Sequence, residues 1–317
     1  MQGSIGVSLS SSTTAQTDRT LPVMSFLARL KRPEPFTTVE LRPPRRDLEH
    51  GLSMDSWMDM RRAVERMVER DTALFFTDNA VGAREEENLH HLVSNLDPEV
   101  PRQRICPFLT AKHTLEYCLW YVDRAVAEGH SALAVLGGDT SVGAERCLPH
   151  AYLLRQKIRQ RHPQLALGGW ANPYHDPADQ VGYLTADDFT ADFFLTQVVN
   201  HHELENVERF VKELADHGCE LPGVFGVFYY RSANPKTLSI LSRFLPVPAE
   251  AITKEFAAGA SADEICARTI RELREVGVNR VYISNLDPAD APERLEAIER
   301  AVGRTDGQTD GRSGGQA

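Results

Sequence analysis

Short apolar runs rich in β-branched and aromatic residues alternate along the chain with longer segments in which apolar residues recur every three to four positions. Runs of the first kind are typical of buried strands, and segments of the second kind are typical of amphipathic helices. The pattern predicts eight strands, at 37–41, 72–77, 104–110, 132–137, 165–170, 192–198, 223–229 and 280–285. It predicts helices at 54–70, 84–94, 113–128, 148–161, 203–216, 235–244, 261–276 and near 288–302.

A strand followed by a helix, repeated eight times within about 270 residues, is the pattern of a (β/α)8 TIM barrel. We therefore predict a single α/β domain over residues 23–303, with an open doubly wound sheet as the alternative. No G-x-G-x-x-G follows a predicted strand, which argues against a dinucleotide-binding Rossmann domain. Residues 1–22 and 304–317 are polar and rich in Gly, Ser and Thr, so we predict disordered tails there.

Composition narrows the class of protein. Of 317 residues, 42% are hydrophobic and 25% charged, as in an ordinary globular protein. The net charge of -10 argues against a nucleic-acid or anionic-membrane binder. Five cysteines without a C-x-x-C predict neither a disulfide framework nor a Cys-rich zinc site. With no apolar stretch of the length of a membrane span or signal peptide, we expect a cytoplasmic protein.

In a barrel of this type the chemistry lies at the carboxyl ends of the strands, and three polar residues there suggest a site. Glu40 lies in an apolar strand and could act as a general acid of raised pKa, or form an ion pair with arginines of the 42–46 segment. Asp139 follows Gly137–Gly138, where backbone can approach a ligand closely, or it caps a helix. Gln197 could bind the donor-acceptor edge of a pterin or flavin ring, or be satisfied within the core.

Other chemistries have weaker support. His201 and His202 resemble half of a zinc-protease helix, but no second histidine follows at the fourth position, so we predict no metal site. No G-x-S-x-G or P-loop occurs. A Schiff-base aldolase or lyase would need a lysine at a strand end, whereas the nearest lysines, Lys112 and Lys236, fall in predicted loops. Tyr229 could stack on an aromatic ligand or line the barrel rim.

Taken in order, these strand-end segments resemble the methylenetetrahydrofolate reductase family. The resemblance covers about residues 36–286 and rests on short motifs on successive strands. Five family patterns have similar segments here: F-E-F-F-P-P-R at residues 39–45 (VELRPPR), V-T at 76–77 (FT), P-H-L-T at 107–110 (PFLT), R-G-D at 137–139 (GGD) and I-T-Q at 195–197 (LTQ). The family's Pro-Gly before the seventh strand is matched at 222–223. Its fifth-strand aromatic residue and the histidine downstream are similar to Trp170 and His175.

The resemblance implies an oxidoreductase of one-carbon metabolism, within methionine biosynthesis, that transfers hydride from NAD(P)H, through FAD, to 5,10-methylenetetrahydrofolate. It implies that Glu40 and Asp139 are catalytic, and that Gln197 and Tyr229 also bind the folate. The implied cofactor-binding residues are Thr77, Thr110, Asp139, Trp170 and His175. The alternative is a non-redox barrel that binds a folate or pterin as a methyl-transfer or regulatory partner.

Three departures from the family pattern bear on the cofactor. Gly137 stands where the R-G-D motif has arginine, and Phe108 stands where the P-H-L-T motif has histidine. Asp187 and Asp188 fall where the family has a phosphate-contacting lysine. Carboxylates facing a pyrophosphate would repel it, so the sequence predicts that flavin binds weakly or that hydride passes directly from the nicotinamide. Association with a second copy or with a partner reductase is left open.

Overall fold

The computed structural model describes residues 24–78, 88–140 and 143–303. The two predicted tails lie outside these ranges, as do the first residues of the helix predicted at 84–94. The strands are β1 (Phe36–Leu41), β2 (Ala73–Phe76), β3 (Ile105–Thr110), β4 (Ala132–Leu136), β5 (Ala166–Ala171), β6 (Phe193–Val199), β7 (Gly223–Phe228) and β8 (Arg280–Ser284).

These eight strands form one closed parallel barrel. Each strand pairs with the next in chain order, and β1 pairs with β8 as well as with β2. The closure confirms the predicted (β/α)8 barrel and excludes the open doubly wound sheet. Because all strands run the same way, their carboxyl ends meet at one mouth of the barrel.

Helices surround the barrel and complete the repeat. In the described part of the chain they are α1 (Phe26–Leu30), α2 (His50–Glu69), α3 (Asn88–Asn95), α4 (Leu115–Ala127), α5 (Ala151–Arg161), α6 (Pro177–Thr185), α7 (Leu204–Asp216), α8 (Pro235–Leu241), α9 (Ala249–Ala257), α10 (Ala262–Glu275) and α11 (Ala291–Val302). The sequence pattern did not predict α1, α6 or α9.

Local capping explains where several helices begin. The Thr114 side chain accepts a hydrogen bond from the backbone N–H of Tyr117 at the start of α4. Ser261 and Glu264 form a reciprocal capping box at the start of α10. Both caps satisfy backbone N–H groups that have no partner within the helix.

Alternation along each strand separates an inner core from an outer one. On β1, Phe36 packs inside the barrel, whereas Val39 and Leu41 pack outward against the helices. A similar alternation runs along the other strands, and β6 departs from it at a register shift between Leu195 and Val198. Side chains of alternating residues at the carboxyl ends therefore face the mouth.

Helix α1 closes the opposite, amino-terminal end of the barrel. The buried Phe26 ring lies 5.3 Å from the Phe75 ring and 5.7 Å from the Phe193 ring, centroid to centroid, and Leu30 belongs to the same inner core. The bottom is thus filled with side chains, which leaves ligand access to the mouth. No helix among the described residues is both long and apolar enough to cross a membrane.

Candidate functional site

A cavity of about 450 Å³ opens at the carboxyl ends of the strands. Its volume falls within the range typical of small-molecule pockets. Side chains from all eight strands or the loops that follow them, together with the segment after α8, form its wall. The lining residues are Glu40, Arg42, Thr77, Asp78, Phe108, Leu136, Gly137, Gly138, Asp139, Arg146, Trp170, Gln197, Val198, Phe228, Leu241, Phe244, Leu245, Tyr282, Ser284 and Asn285.

The cavity brings together the three residues on which the sequence-based hypothesis depends. Glu40, Asp139 and Gln197 all line it, although they come from β1, the loop after β4, and β6. Each is partly buried, and so remains accessible to a ligand. Two carboxylates and one amide therefore converge on one partly apolar space.

Glu40 is held by its neighbour across the barrel seam. The β1–β8 register pairs Thr38 with Tyr282, which sets Ser284 beside Glu40. The Ser284 hydroxyl donates a 2.8 Å hydrogen bond to Oε1 of Glu40. This contact fixes the orientation of the carboxyl group toward the cavity.

Tyr282 forms the floor beneath Glu40. Its hydroxyl donates a 2.7 Å hydrogen bond to the backbone carbonyl of Thr196. The ring packs on Gly226, where a Cβ atom would lie 2.5 Å from the tyrosine oxygen, so a side chain at that position would displace the ring. Burial, and secondarily the charge of Glu40, raise the pKa of Tyr282 well above its ordinary value. The phenol therefore stays neutral and does not serve as a base.

Gln197 faces the cavity because it continues the inward-facing series of Phe193 and Leu195 on β6. The pairing of β6 with β7 shifts register between Leu195 and Val198, and the Thr196 hydroxyl bridges the irregularity by accepting from the backbone N–H of Gly226. The Gln197 Oε1 accepts a 2.9 Å hydrogen bond from the backbone N–H of Val198. Its amide nitrogen has no partner among the described residues and is available to a ligand.

The loop after β4 places a cation at the rim. A Cβ atom at Gly137 would lie 2.7 Å from Cζ of Arg146, and Arg146 donates a hydrogen bond to the carbonyl of Gly138. Gly138 has a φ of +74°, which favours glycine. The guanidinium of Arg146 thus occupies space that a side chain at residue 137 would take, and it supplies positive charge at this part of the cavity wall.

Asp78 anchors the wall between β2 and β3. One of its oxygens accepts hydrogen bonds from the backbone N–H and the hydroxyl of Thr110, at 2.7 and 2.9 Å. The Nε2 atom of His113 lies 2.9 Å from the same carboxylate. Thr110, predicted to bind a cofactor, therefore gives its hydroxyl to Asp78 and does not line the cavity.

The other predicted site residues divide into two groups. Thr77 lines the cavity, and so does Trp170, whose side chain is 39% exposed at the rim. Tyr229 faces outward, where its hydroxyl donates to Asp263 at 2.8 Å, and its neighbour Phe228 lines the cavity in its place. His175 is exposed in the turn after β5 and lies outside the lining.

Asp187 and Asp188 lie far from the cavity. They follow α6 and precede β6, so they lie at the amino-terminal end of the barrel, and both are exposed. The expectation that they face a cofactor's phosphates at the site is wrong, because the chain crosses the full height of the barrel between these residues and Gln197. They carry no argument against flavin.

Comparisons with known proteins agree with this architecture. No family profile and no curated protein matches the sequence. Among solved structures, an uncharacterized protein from Clostridium thermocellum that binds two copies of 5-methyl-5,6,7,8-tetrahydrofolic acid is similar, with a TM-score of 0.58 and 15% identity over 86% of this chain and 97% of that chain. At this identity the likeness establishes the fold alone.

Two enzymes are more distantly similar. QR15, an aldolase, has 12% identity over 83% of this chain and 94% of its own, and 2,3-dimethylmalate lyase has 14% identity over 91% of each chain; both have TM-scores of 0.44. Such scores carry no functional argument.

Proposed function

We propose that the mouth cavity binds a reduced folate and that the protein reduces 5,10-methylenetetrahydrofolate to 5-methyltetrahydrofolate with NAD(P)H. The observation that carries this proposal is the convergence of Glu40, Asp139 and Gln197 on one cavity. These residues carry the folate-facing part of the resemblance to the methylenetetrahydrofolate reductase family. Binding of 5-methyltetrahydrofolate by the similar Clostridium thermocellum protein supports the same ligand class.

Glu40 is assigned the role of general acid. It donates a proton to N10 of the bound folate, the bond from N10 to the methylene carbon breaks, and an iminium at N5 results. Hydride from NAD(P)H then reduces that carbon to a methyl group, which leaves NAD(P)+. A carboxyl group that faces the cavity is suited to this step because it can donate a proton across a single hydrogen bond to the ligand.

Asp139 and Gln197 are assigned to recognition. The amide nitrogen of Gln197, which has no partner within the described part of the chain, can donate to an acceptor on the pterin edge, while Asp139 can accept from its amino group. The backbone around Gly138 lets the ligand approach the loop closely. Trp170 at the rim can stack on the pterin or its aromatic tail.

Some residues of the cavity wall are suited to bind FAD. Arg42 and Arg146 at the mouth could hold a pyrophosphate, and Thr77 and Trp170 line the same space. Bound FAD would relay hydride from the nicotinamide to the folate. Thr110 and His175 do not contribute to the cavity, so the flavin-binding set implied by the resemblance is only partly assembled, and direct transfer from NAD(P)H remains part of the proposal.

The test is oxidation of NADH and NADPH with 5,10-methylenetetrahydrofolate, with and without added FAD, by the wild type and Glu40→Gln. We expect turnover by the wild type and a loss of at least ~100-fold in Glu40→Gln, the usual contribution of a general acid. Glu220→Gln, an exposed glutamate at the opposite end of the barrel, is the matched control and should keep wild-type turnover.

Equal turnover by Glu40→Gln and the wild type would remove Glu40 from the mechanism. The second candidate function, a non-redox folate barrel, is favoured by the ligand of the similar solved structure. It predicts folate binding that survives Glu40→Gln, with no NAD(P)H oxidation in any variant.

A further inference from the structure

Two adjacent histidines meet a glutamate on the outer side of the barrel, away from the mouth cavity. Nε2 of His201 lies 2.9 Å from Oε1 of Glu255, and Nε2 of His202 lies 2.5 Å from the same oxygen. The histidines follow β6, whereas Glu255 belongs to α9, 53 residues beyond His202 in the chain. We propose that these three side chains bind a divalent transition-metal ion of the zinc class.

The two histidines lie in a short turn after β6, and their rings are close together. Residues His201–Glu203 form a single 3₁₀ turn, capped by the Asn200 side chain, which accepts from the backbone N–H of His202 at 2.9 Å. The two imidazole rings are only 4.0 Å apart, centroid to centroid. Successive residues of a 3₁₀ turn project about 120° apart, so the short distance between the rings comes from their shared contact with Glu255 and not from the helical geometry.

The ligand set and its spacing suit zinc. Two histidine nitrogens and one carboxylate oxygen, all within 4.8 Å of one another, are a recognised zinc set that leaves one coordination position open. Ligand atoms on a tetrahedral zinc ion lie about 3.3 Å apart, because each bond is about 2.0–2.2 Å long. The side chains therefore need to open by less than about 1 Å to admit the ion.

Outer contacts hold these side chains in place. Nδ1 of His201 lies 2.8 Å from the Thr269 hydroxyl, which gives that ring the second partner typical of metal-bound histidines. Arg268 donates to the other oxygen of Glu255, so Oε1 is left for the ion. Glu272 on α10 adds a further carboxylate within electrostatic range of His202 and Arg268.

The exposure of the three side chains would allow a metal ion to enter and leave the site. The side chains of His201 and Glu255 are 6% and 9% exposed, whereas that of His202 is 25% exposed and gives solvent a path to the site. Bound metal would fasten α9 to the end of β6. Because Gln197 on β6 and Phe244 before α9 both line the mouth cavity, the ion would stiffen that wall.

The experiment is calorimetric titration of Zn²⁺ into chelator-treated full-length protein that carries no histidine tag and no folate. We expect saturable binding of a single ion per chain, with a rise in melting temperature. His202→Ala and Glu255→Gln should abolish it, and Thr269→Val should weaken it by about 10-fold or more. His217→Ala, an exposed histidine paired with Glu213 on α7, is the control and should bind as the wild type does.

Absence of saturable Zn²⁺ binding to the wild type, or equal affinity in His202→Ala, would overturn the proposal. The cluster would then be two histidines whose Nε2–H groups donate hydrogen bonds to Glu255. Substituting Co²⁺ should give visible absorption typical of four-coordinate cobalt in the wild type and not in His202→Ala. If Glu255→Gln fails to fold, the partly exposed His202 position carries the test. The outcome is independent of folate binding, because no folate is present.

Discussion

At the scale of single residues, Gln197 shows how strand alternation brings a polar group to the cavity. It continues the inward-facing series of Phe193 and Leu195 on β6, and its Oε1 is held by the backbone N–H of Val198. The register shift after Leu195 brings Val198 to the cavity wall beside it. The amide nitrogen of Gln197, which has no partner among the described residues, is thereby oriented as a donor.

Replacement of Gln197 by leucine keeps the volume of the side chain and removes the donor. We expect the dissociation constant for 5-methyltetrahydrofolate to rise by about 10-fold or more, because an unpaired polar group in a buried complex costs about 1–3 kcal/mol. Calorimetry on the wild type, Gln197→Leu and the control Gln156→Leu, on α5 outside the cavity, measures this. An unchanged constant in Gln197→Leu would mean that the amide does not contact the folate.

Sequence patterns identified Glu40, Asp139 and Gln197 but not all of their companions. Phe228 and Tyr229 are adjacent in a continuous apolar run, so composition could not tell which one faces inward. Arg146 and Phe244 reach the cavity from segments after a strand and after a helix. The path of such segments is set by tertiary packing, and periodicity along the sequence does not encode it.

At the scale of elements, the eight strands were predictable because both faces of a parallel barrel strand are buried, which produces uninterrupted apolar runs. Three helices could not be predicted from the sequence pattern. Helix α1 has only five residues. Helix α6 begins with Pro177 and contains Gly182, both of which read as turn signals. Helix α9 lies outside the regular repeat, between α8 and α10.

The unpredicted helices make contacts that the sequence pattern does not reveal. Helix α1 fills the bottom of the barrel through Phe26. Helix α9 carries Glu255 to His201 and His202, a meeting that no motif of adjacent residues could reveal because 53 residues separate Glu255 from His202. Both are contacts over long sequence separation, and only the folded chain defines them.

At the scale of the whole molecule, stability should fall as the solution becomes mildly acidic. His130 is buried and lies just before β4. Its Nδ1 donates a hydrogen bond to the carbonyl of Ile105. Burial lowers the pKa of His130 to about 4 from 6.5. In this pH range His130 binds a proton in the unfolded chain but stays neutral in the folded chain. The free energy of unfolding therefore decreases as pH falls from about 6.5 toward 4.

For His130 alone, the loss between about pH 7.5 and pH 5 is about 2 kcal/mol. Urea unfolding of the wild type and His130→Gln at the two pH values measures it. We expect the free energy of unfolding to depend less steeply on pH in the variant, even if the variant is less stable at both values. Identical pH dependence would show that His130 does not remain neutral in the folded state.

The central claim, that the mouth cavity binds reduced folate, is tested most directly by tryptophan fluorescence. The protein has three tryptophans, and Trp170 lines the cavity while Trp57 and Trp120 do not. Titration with 5-methyltetrahydrofolate should quench the wild type saturably, whereas Trp170→Phe should show only the linear loss caused by ligand absorbance. Calorimetry should confirm that Trp170→Phe still binds. Equal saturable quenching in both proteins, or none in the wild type, would contradict the account.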